Sequence, residues 1–148
     1  MNKRSRKPRR PAVAPDALVF SVLGTAHALE ERLEAAVGPL GLSLAKAGLL
    51  ASLADAGGPM SLSDLADNQH CVRSNITQLM DRLEQDGLVR RRHDPADRRG
   101  VLAELTPAGV RAHAQAMRAL KTEQQAIVGA LGAADAARLN AALRLLAG

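Results

Sequence analysis

Aromatic residues are almost absent from this chain. It contains no Trp or Tyr and a single Phe, Phe20, so its 47% hydrophobic residues are mainly Leu, Ala and Val. Leu and Ala are strong helix formers, whereas the aromatic and β-branched residues that favour strands are scarce. A chain of 148 residues suffices for one domain with a buried core. The composition therefore predicts a mainly α-helical single domain and excludes a large α/β sheet.

Cysteine and long apolar runs are also scarce. The single cysteine, Cys71, excludes an internal disulfide and fits a reducing cytoplasm. No stretch approaches the roughly 18 to 20 apolar residues that a membrane span needs. The basic start followed by ALVFSVLG imitates a secretion signal. However, helical spacing from Leu18 to Leu33 runs through the small-residue site at 26–28, so we predict a cytoplasmic protein without a membrane anchor.

Acidic residues are missing from the first ten positions, MNKRSRKPRR, which hold six of the 20 Lys and Arg. Residues 11–148 therefore carry 14 basic and 15 acidic residues, a net charge of −1. A run of like charges with prolines cannot bury apolar area, so residues 1–15 are predicted to be a basic disordered tail. Contact with phosphate and simple solubilisation are both open interpretations of this tail.

Patterns that indicate catalysis or metal binding are missing as well. No spacing suggests a nucleophile, a base and an orienting acid, and no Gly-rich phosphate loop is present. The four histidines are scattered, and no pair involving them or Cys71 has local ligand spacing. We therefore predict no enzyme activity, no metal site and no cofactor.

Glycine, proline and capping residues mark the predicted elements. Asp16, Ser63 and Thr106 are expected N-caps. The predicted helices cover about 16–37, 43–56, a short segment after Ser63, 73–86, 106–128 and 134–147. The runs LVRRRH and GVLAEL, joined by DPADRR, are typical of a β-hairpin, which we expect to contribute little core.

The fourth predicted helix has one apolar stripe, formed by Ile76, Leu79, Met80 and Leu83, which must be buried. The rest of its surface is polar and is formed by Arg73, Ser74, Asn75, Thr77, Gln78, Asp81 and Arg82. Such side chains read base edges when a helix enters the major groove. This face alone is weak evidence for DNA binding, because most surface helices have a polar face.

The hairpin adds a second indication. Its segment RRRHDPADRRG holds five arginines, two of which, Arg98 and Arg99, lie at the tip. Arginines at a tip suit a narrow minor groove or its phosphates. Asp97 can accept from a neighbouring guanidinium, and Asp94 is expected to cap the turn. The alternative is a solvated hairpin whose arginines pair with Asp94, Asp97 and Glu104.

Three segments, SDLAD, RSNITQLMDRLEQDGLVRR and DPADRRGVLAELTPAG, together resemble the MarR family of bacterial winged helix-turn-helix regulators. The resemblance covers roughly residues 17–147. It implies a mainly α winged helix-turn-helix fold with a β-hairpin wing and a DNA-reading part at about 43–105. It also implies a dimerisation region formed by the helices at about 16–37 and 106–147, within a single domain from residue 16 to 148.

The resemblance further implies a homodimer that binds a pseudo-palindromic operator in double-stranded DNA, as a repressor. The implied DNA-binding residues are Arg73, Ser74, Asn75, Thr77 and Gln78 on the helix and Asp97 and Arg99 on the wing. Arg82 on the polar face of the helix and Arg98 at the hairpin tip are further candidates for DNA contact. Val72 stands where the family often has a capping Ser or Thr, so this helix is expected to begin irregularly. The alternative function is an architectural, non-sequence-specific DNA binder that uses the basic tail.

Release of DNA by a small-molecule effector is also implied by the resemblance. The candidate lining residues are His27, Met60, His113 and Met117, chosen as polar or polarisable residues near the junction of the two regions. Cys71 precedes a helix N-terminus near Arg73, an environment that lowers a thiol pKa. It is therefore either the reactive group of a redox-sensing regulator or a buried, inert thiol.

Overall fold

Helices dominate the described part of the chain, which comprises residues 15–68, 73–97 and 100–148 of a computed structural model. The predicted basic tail up to residue 14, Cys71, Val72, Arg98 and Arg99 lie outside the described residues. Of Arg73 and Ser74, only the backbone is described. The predictions made for these residues therefore stay predictions.

The order of elements confirms the mainly α fold class. The helices are α1 (Pro15–Val37), α2 (Leu44–Ala56), α3 (Leu62–Asn68), α4 (Arg73–Gln85), α5 (Pro107–Gly129) and α6 (Ala133–Ala147). The strands are β1 (Met60–Ser61), β2 (Val89–His93) and β3 (Val101–Leu105), and a 3-10 turn, Gly38–Leu40, follows α1. The chain divides into two compact units, residues 1–31 and 32–148, with the boundary inside α1.

One predicted helix start differs from the one observed. The described part of α1 starts at Pro15 and includes Asp16, so the start of this helix relative to the expected cap Asp16 stays a prediction. The helix α3 is capped by Ser61 and not by Ser63, which lies inside it. The Ser61 hydroxyl oxygen accepts from the Asp64 N–H at 3.1 Å and its hydroxyl donates to Oδ2 of Asp64 at 2.7 Å. The prediction of Ser63 as the cap was therefore wrong.

The strand β1 was not predicted, because two residues carry no periodic signal. It pairs antiparallel with β3, with Met60 opposite Ala103 and Ser61 opposite Leu102. The sheet order is β1-β3-β2, which leaves β2 as an edge strand. The predicted hairpin is confirmed, with Arg91 opposite Ala103 at its centre.

The core lies in the second unit and confirms the predicted stripe of α4. Ile76, Met80 and Leu83 are buried, and Leu79 packs against them. They meet Leu49 and Leu50 of α2 and Leu65 of α3. The hairpin contributes only Val89 and Ala103 to the 14 buried hydrophobic residues of the described part, so it adds little core, as expected. Among the described residues no buried side chain is polar or charged.

A hydrogen-bonded corner joins α4, the hairpin and α5. The helix α4 ends with Gly87 at φ 71°, a left-handed conformation that glycine adopts without strain. The Thr106 hydroxyl donates to the Gly87 carbonyl at 2.7 Å and accepts from the Gly109 N–H at 3.0 Å, so it caps α5 as predicted. The Thr106 N–H donates to the Leu88 carbonyl at 3.1 Å. These bonds set the direction in which the hairpin leaves α4.

Large apolar side chains are exposed on two helices. On α1 they are Leu18, Val19, Phe20 and Leu23, and on α6 they are Leu139, Leu143, Leu145 and Leu146. No single helix of the described residues is long and apolar enough to cross a membrane, although two helix pairs reach that length across bends of 76° and 102°. Exposed apolar faces of this size are unusual on a monomer and indicate contact with another molecule.

Candidate nucleic-acid interface

The outer surface of α4 presents two polar rows, because residues three and four apart share a face of a helix. One row is formed by Asn75, Gln78 and Arg82, which are exposed. The other row is formed by Thr77, Asp81 and Glu84, also exposed. Because the apolar stripe on the opposite side of α4 is buried in the core, both polar rows face solvent. The structure thus places the four predicted α4 contact residues with described side chains, Asn75, Thr77, Gln78 and Arg82, on one solvent-facing surface.

The second row is hydrogen-bonded to the hairpin through Arg91. The Arg91 guanidinium donates through Nη2 to Oδ1 of Asp81 at 2.6 Å and through Nη1 to Oε2 of Glu84 at 2.7 Å. Nη2 also lies 3.5 Å from the Thr77 carbonyl oxygen. We call Arg91, Asp81 and Glu84 the Arg91 cluster. It joins the middle of β2 to the C-terminal half of α4.

The backbone takes part in the same cluster. Because β2 is an edge strand, every second N–H of its backbone points away from the sheet and needs another partner. The Arg91 N–H donates to Oε1 of Glu84 at 3.1 Å. Burial by itself would lower the pKa of Arg91, but the hydrogen bonds and charges of Asp81 and Glu84 outweigh it and raise that pKa. Arg91 is therefore a cation paired with two carboxylates.

A second arginine of the hairpin pairs on the other face of the sheet. Arg90 Nε donates to Oε1 of Glu104, its cross-strand neighbour, at 2.6 Å. The pair of a hairpin arginine with Glu104 is the one expected for a solvated hairpin. The pairing of Arg91 with Asp81 and Glu84 of α4 was not predicted. Two of the five arginines are therefore structural. The sequence does hold an indication that Arg91 faces the protein: side chains alternate along β2, so Arg91 lies on the same side of the strand as the buried Val89.

The turn of the hairpin is closed by its own backbone. Asp94 Oδ1 accepts from the Ala96 N–H at 2.8 Å, which confirms Asp94 as the turn cap. The Asp94 N–H donates to the Gly100 carbonyl at 3.0 Å, and the Gly100 N–H to the Asp97 carbonyl at 2.9 Å. This arrangement holds residues 94–97 in a defined loop, next to the predicted contact arginines Arg98 and Arg99.

A groove of about 540 Å³ separates this turn from the start of α3. Its lining includes Ser61, Thr77, Asp94 and Asp97. The structure therefore brings two predicted DNA-contact residues, Thr77 of α4 and Asp97 of the turn, to one groove. The interaction predicted for Asp97 with a neighbouring guanidinium involves residues outside the described part.

Three of the four candidate effector residues lie in the second compact unit, and His27 lies in the first. His113 lines a cavity of about 330 Å³ with Leu53, Gly57, Glu104 and Val110. Met60 and Met117 instead pack against the core. His27 lies in the first compact unit, where its Nε2 is 3.3 Å from Oε1 of Glu31 on the same helix.

No group of three or more His, Cys, Asp or Glu side chains with metal-binding geometry occurs among the residues described. The predicted absence of a metal site stays a prediction, because Cys71 and His70 fall in the gap at 69–72.

Helices α3 and α4, followed by a β-hairpin that packs against α4, define a winged helix-turn-helix protein. Residues 42–101 match the model of the MarR family. In this segment the chain is similar to the MarR family, as its motifs predict.

Three comparisons illustrate the match. The chain is 45% identical over 49 residues to the HTH-type transcriptional regulator YfiV of Bacillus subtilis, which is 33% of this chain and 31% of YfiV. Its structure resembles the MarR family regulator AbsC of Streptomyces coelicolor, with a TM-score of 0.81 and 26% identity over 95% of this chain and 96% of AbsC. It also resembles Sco3205 of Streptomyces coelicolor, a MarR family regulator solved in complex with DNA, with a TM-score of 0.80 and 25% identity over 97% and 91% of the two chains.

The extent of these matches differs between sequence and structure. The chain spans about a third of the length of the curated relative YfiV, whereas it covers nearly all of AbsC. The winged-helix fold is thereby confirmed, while the activity and the partners of this protein are proposals.

Proposed function

We propose that this protein is a DNA-binding transcription regulator that acts as a homodimer on a pseudo-palindromic operator. The observation that carries the proposal is the outward polar surface of α4 with a hairpin tied beside it by the Arg91 cluster. The likeness to Sco3205, solved with DNA, supports it. In this function the protein is a regulator in the cytoplasm and not an enzyme.

Each subunit would insert α4 into a major groove. Residues near the N-terminus of such a helix contact base edges, and the two helices of a dimer bind half-sites about 34 to 36 Å apart. The groove-reading residues are Arg73, Ser74, Asn75, Thr77, Gln78 and Arg82. Arg98 and Arg99 would reach the flanking minor groove, with Asp97 orienting one of them.

The homodimer is supported by the apolar faces of the terminal helices. Leu139, Leu143 and Leu146 follow one another at helical spacing on α6, and all are exposed. Such a stripe is stabilised when a second copy covers it. Sedimentation equilibrium should therefore find a dimer, which Leu143→Glu weakens. A wild-type monomer at micromolar concentration would contradict the proposal.

Release by an effector would use the cavity beside His113. The cavity combines the apolar side chains Leu53 and Val110 with the polar groups of His113 and Glu104, which suits a small, partly apolar molecule. Such a ligand changes DNA affinity only if it binds the DNA-bound and free conformations unequally. A crystal structure of ligand-soaked protein in which the ligand lies outside this cavity would reject the site.

The sign of regulation is proposed as repression, because a dimer seated on an operator within a promoter excludes polymerase. A reporter fused to the region upstream of this gene tests it. Deletion of the gene should raise reporter output, and a fall in output would show activation instead.

The second candidate is an architectural DNA binder, which the basic segment MNKRSRKPRR favours. The two functions differ in their dependence on sequence and salt. A phosphate-only binder loses affinity steeply with salt and ignores sequence, whereas a regulator typically prefers its operator by about 10³-fold or more.

Fluorescence anisotropy with DNA from upstream of the gene and with scrambled DNA, across a salt series, distinguishes the two. We expect a preference for the upstream DNA that persists at physiological salt. A chain without residues 1–11 should keep this preference. Equal binding to both DNAs, lost together as salt rises, would favour the architectural function.

A further inference from the structure

We propose that Arg91 is a positioning residue that fixes the hairpin against α4, so that both reach DNA in one geometry. Asp81 and Glu84 are its partners. The inference rests on the proposed DNA-binding function, and it assigns a role to an arginine that itself does not contact DNA.

The geometry supports a mechanical role. The hairpin is held at its base by the corner at Gly87 and Thr106, while its turn lies at the other end, at residues 94–100. Arg91 lies between the two and spans from β2 to two carboxylates one turn apart on α4. A planar guanidinium that binds two acceptors restricts direction as well as distance. The Arg91 side chain is 24% exposed, whereas Asp81 and Glu84 are 52% and 40% exposed, so the cluster lies at the surface with its arginine largely covered.

The charges of the cluster indicate the same role. One arginine and two carboxylates sum to −1, and Asp81 is 52% exposed on the surface proposed to face DNA. Negative charge there opposes phosphate, so these acids reduce the general affinity for DNA. The presence of Asp81 and Glu84 on this surface is explained if both carboxylates bind Arg91 and so keep the hairpin against α4.

A matched control lies on the opposite face of the hairpin. Arg90 and Glu104 also form a hydrogen-bonded ion pair, with Nε 2.6 Å from Oε1, but this pair bridges β2 to β3. Loss of this pair removes a comparable interaction without releasing the hairpin from α4.

The first experiment measures affinity for the operator and for scrambled DNA in two variants, Asp81→Asn with Glu84→Gln, and Glu104→Gln. Removal of negative charge by itself strengthens binding to both DNAs. If the Arg91 cluster positions the hairpin, the double variant instead binds the operator about tenfold more weakly, the size of one lost specific contact, while its affinity for scrambled DNA stays or rises. Glu104→Gln should keep the wild-type ratio of the two affinities.

An increase of operator affinity in the double variant, parallel to that for scrambled DNA, would overturn the inference. Arg91→Lys separates charge from geometry, because lysine keeps the charge and lacks the planar fork. It should lose the preference for the operator as Arg91→Ala does. Full retention of the preference by Arg91→Lys would contradict positioning by the guanidinium.

The second experiment needs no DNA. Amide hydrogen exchange, followed by NMR, should be faster at Arg92 and His93, which both variants retain, in Arg91→Ala than in Arg90→Ala, with equal far-UV circular dichroism in both. Equal exchange in the two variants would reject the role. If the wild type shows no operator preference, the proposed function fails, whereas the exchange rates still decide whether Arg91 holds the hairpin.

Discussion

Gly109, in the first turn of α5, packs directly against the carbonyl oxygen of Leu88, where the chain leaves α4. A Cβ placed on Gly109 would lie 1.9 Å from that oxygen. The Leu88 carbonyl accepts from the Thr106 N–H, so it cannot move away without losing a hydrogen bond. The glycine of the Leu-Thr-x-x-Gly motif is therefore required by a close approach between backbones.

Gly109→Ala should lower the free energy of unfolding by about 1–3 kcal/mol, because the added methyl group forces the corner apart. Urea unfolding at one fixed protein concentration measures the change. Gly129→Ala on the same helix is the control, since nothing lies within 4 Å of its Cβ position. Equal stability of the two variants would show that the corner adapts without cost.

Thr106→Ala should also destabilise the protein, by about 1–2 kcal/mol, because it removes the N-cap of α5. The same change breaks the bond to the Gly87 carbonyl. Thr106→Ser keeps the hydroxyl and should stay close to the wild type. The midpoint of thermal unfolding is measured for both variants. If Thr106→Ser is as unstable as Thr106→Ala, the loss of stability comes from the threonine methyl group and not from the hydroxyl.

Gln78→Ala should reduce the discrimination between operator and scrambled DNA by about 1–3 kcal/mol, as expected for a side chain that contacts a base. Gln85→Ala is its matched control, because the same residue type lies seven positions along the same face of α4. Residues near the N-terminus of a recognition helix contact bases, so Gln85 should contribute little. Anisotropy titrations give both values. Similar losses in both variants would contradict the orientation proposed for α4.

Arg99→Ala should weaken operator binding by more than about 1 kcal/mol and lessen the dependence of affinity on salt, because one phosphate or groove contact disappears. Arg90→Ala removes an arginine of the same hairpin that already pairs with Glu104 and should have a smaller effect. The salt series used for the wild type measures both variants. Unchanged affinity in Arg99→Ala would count against the wing assignment.

Much of this architecture is predictable because its signals are local. Ser43 and Thr106 cap helices through bonds to residues three positions on, and Gly57 and Gly87 end helices by adopting positive φ. The stripe Ile76, Met80 and Leu83 is periodic, so its burial follows from spacing alone. The motifs of α4 and the hairpin predict the MarR family for the same reason.

The features that were not predicted depend on contacts between distant segments. The strand β1 exists because Met60 and Ser61 pair with β3, about forty residues away in sequence. The placement of Met60 and Met117 also depends on such contacts, because both are partly buried against the core of the second unit; their proposed contact with an effector stays a prediction.

The helices, the hairpin, the apolar stripe of α4 and the resemblance to the MarR family follow from the amino-acid sequence, because each depends on residues close together in the chain. Which arginines of RRRHDPADRRG are structural depends instead on how the chain packs. Arg90 and Arg91 are adjacent in sequence, yet the strand pleat directs one to Glu104 on one face of the sheet and the other to Asp81 and Glu84 on α4. Charge and spacing alone do not distinguish these two side chains, because their partners are defined only once β2 packs beside α4.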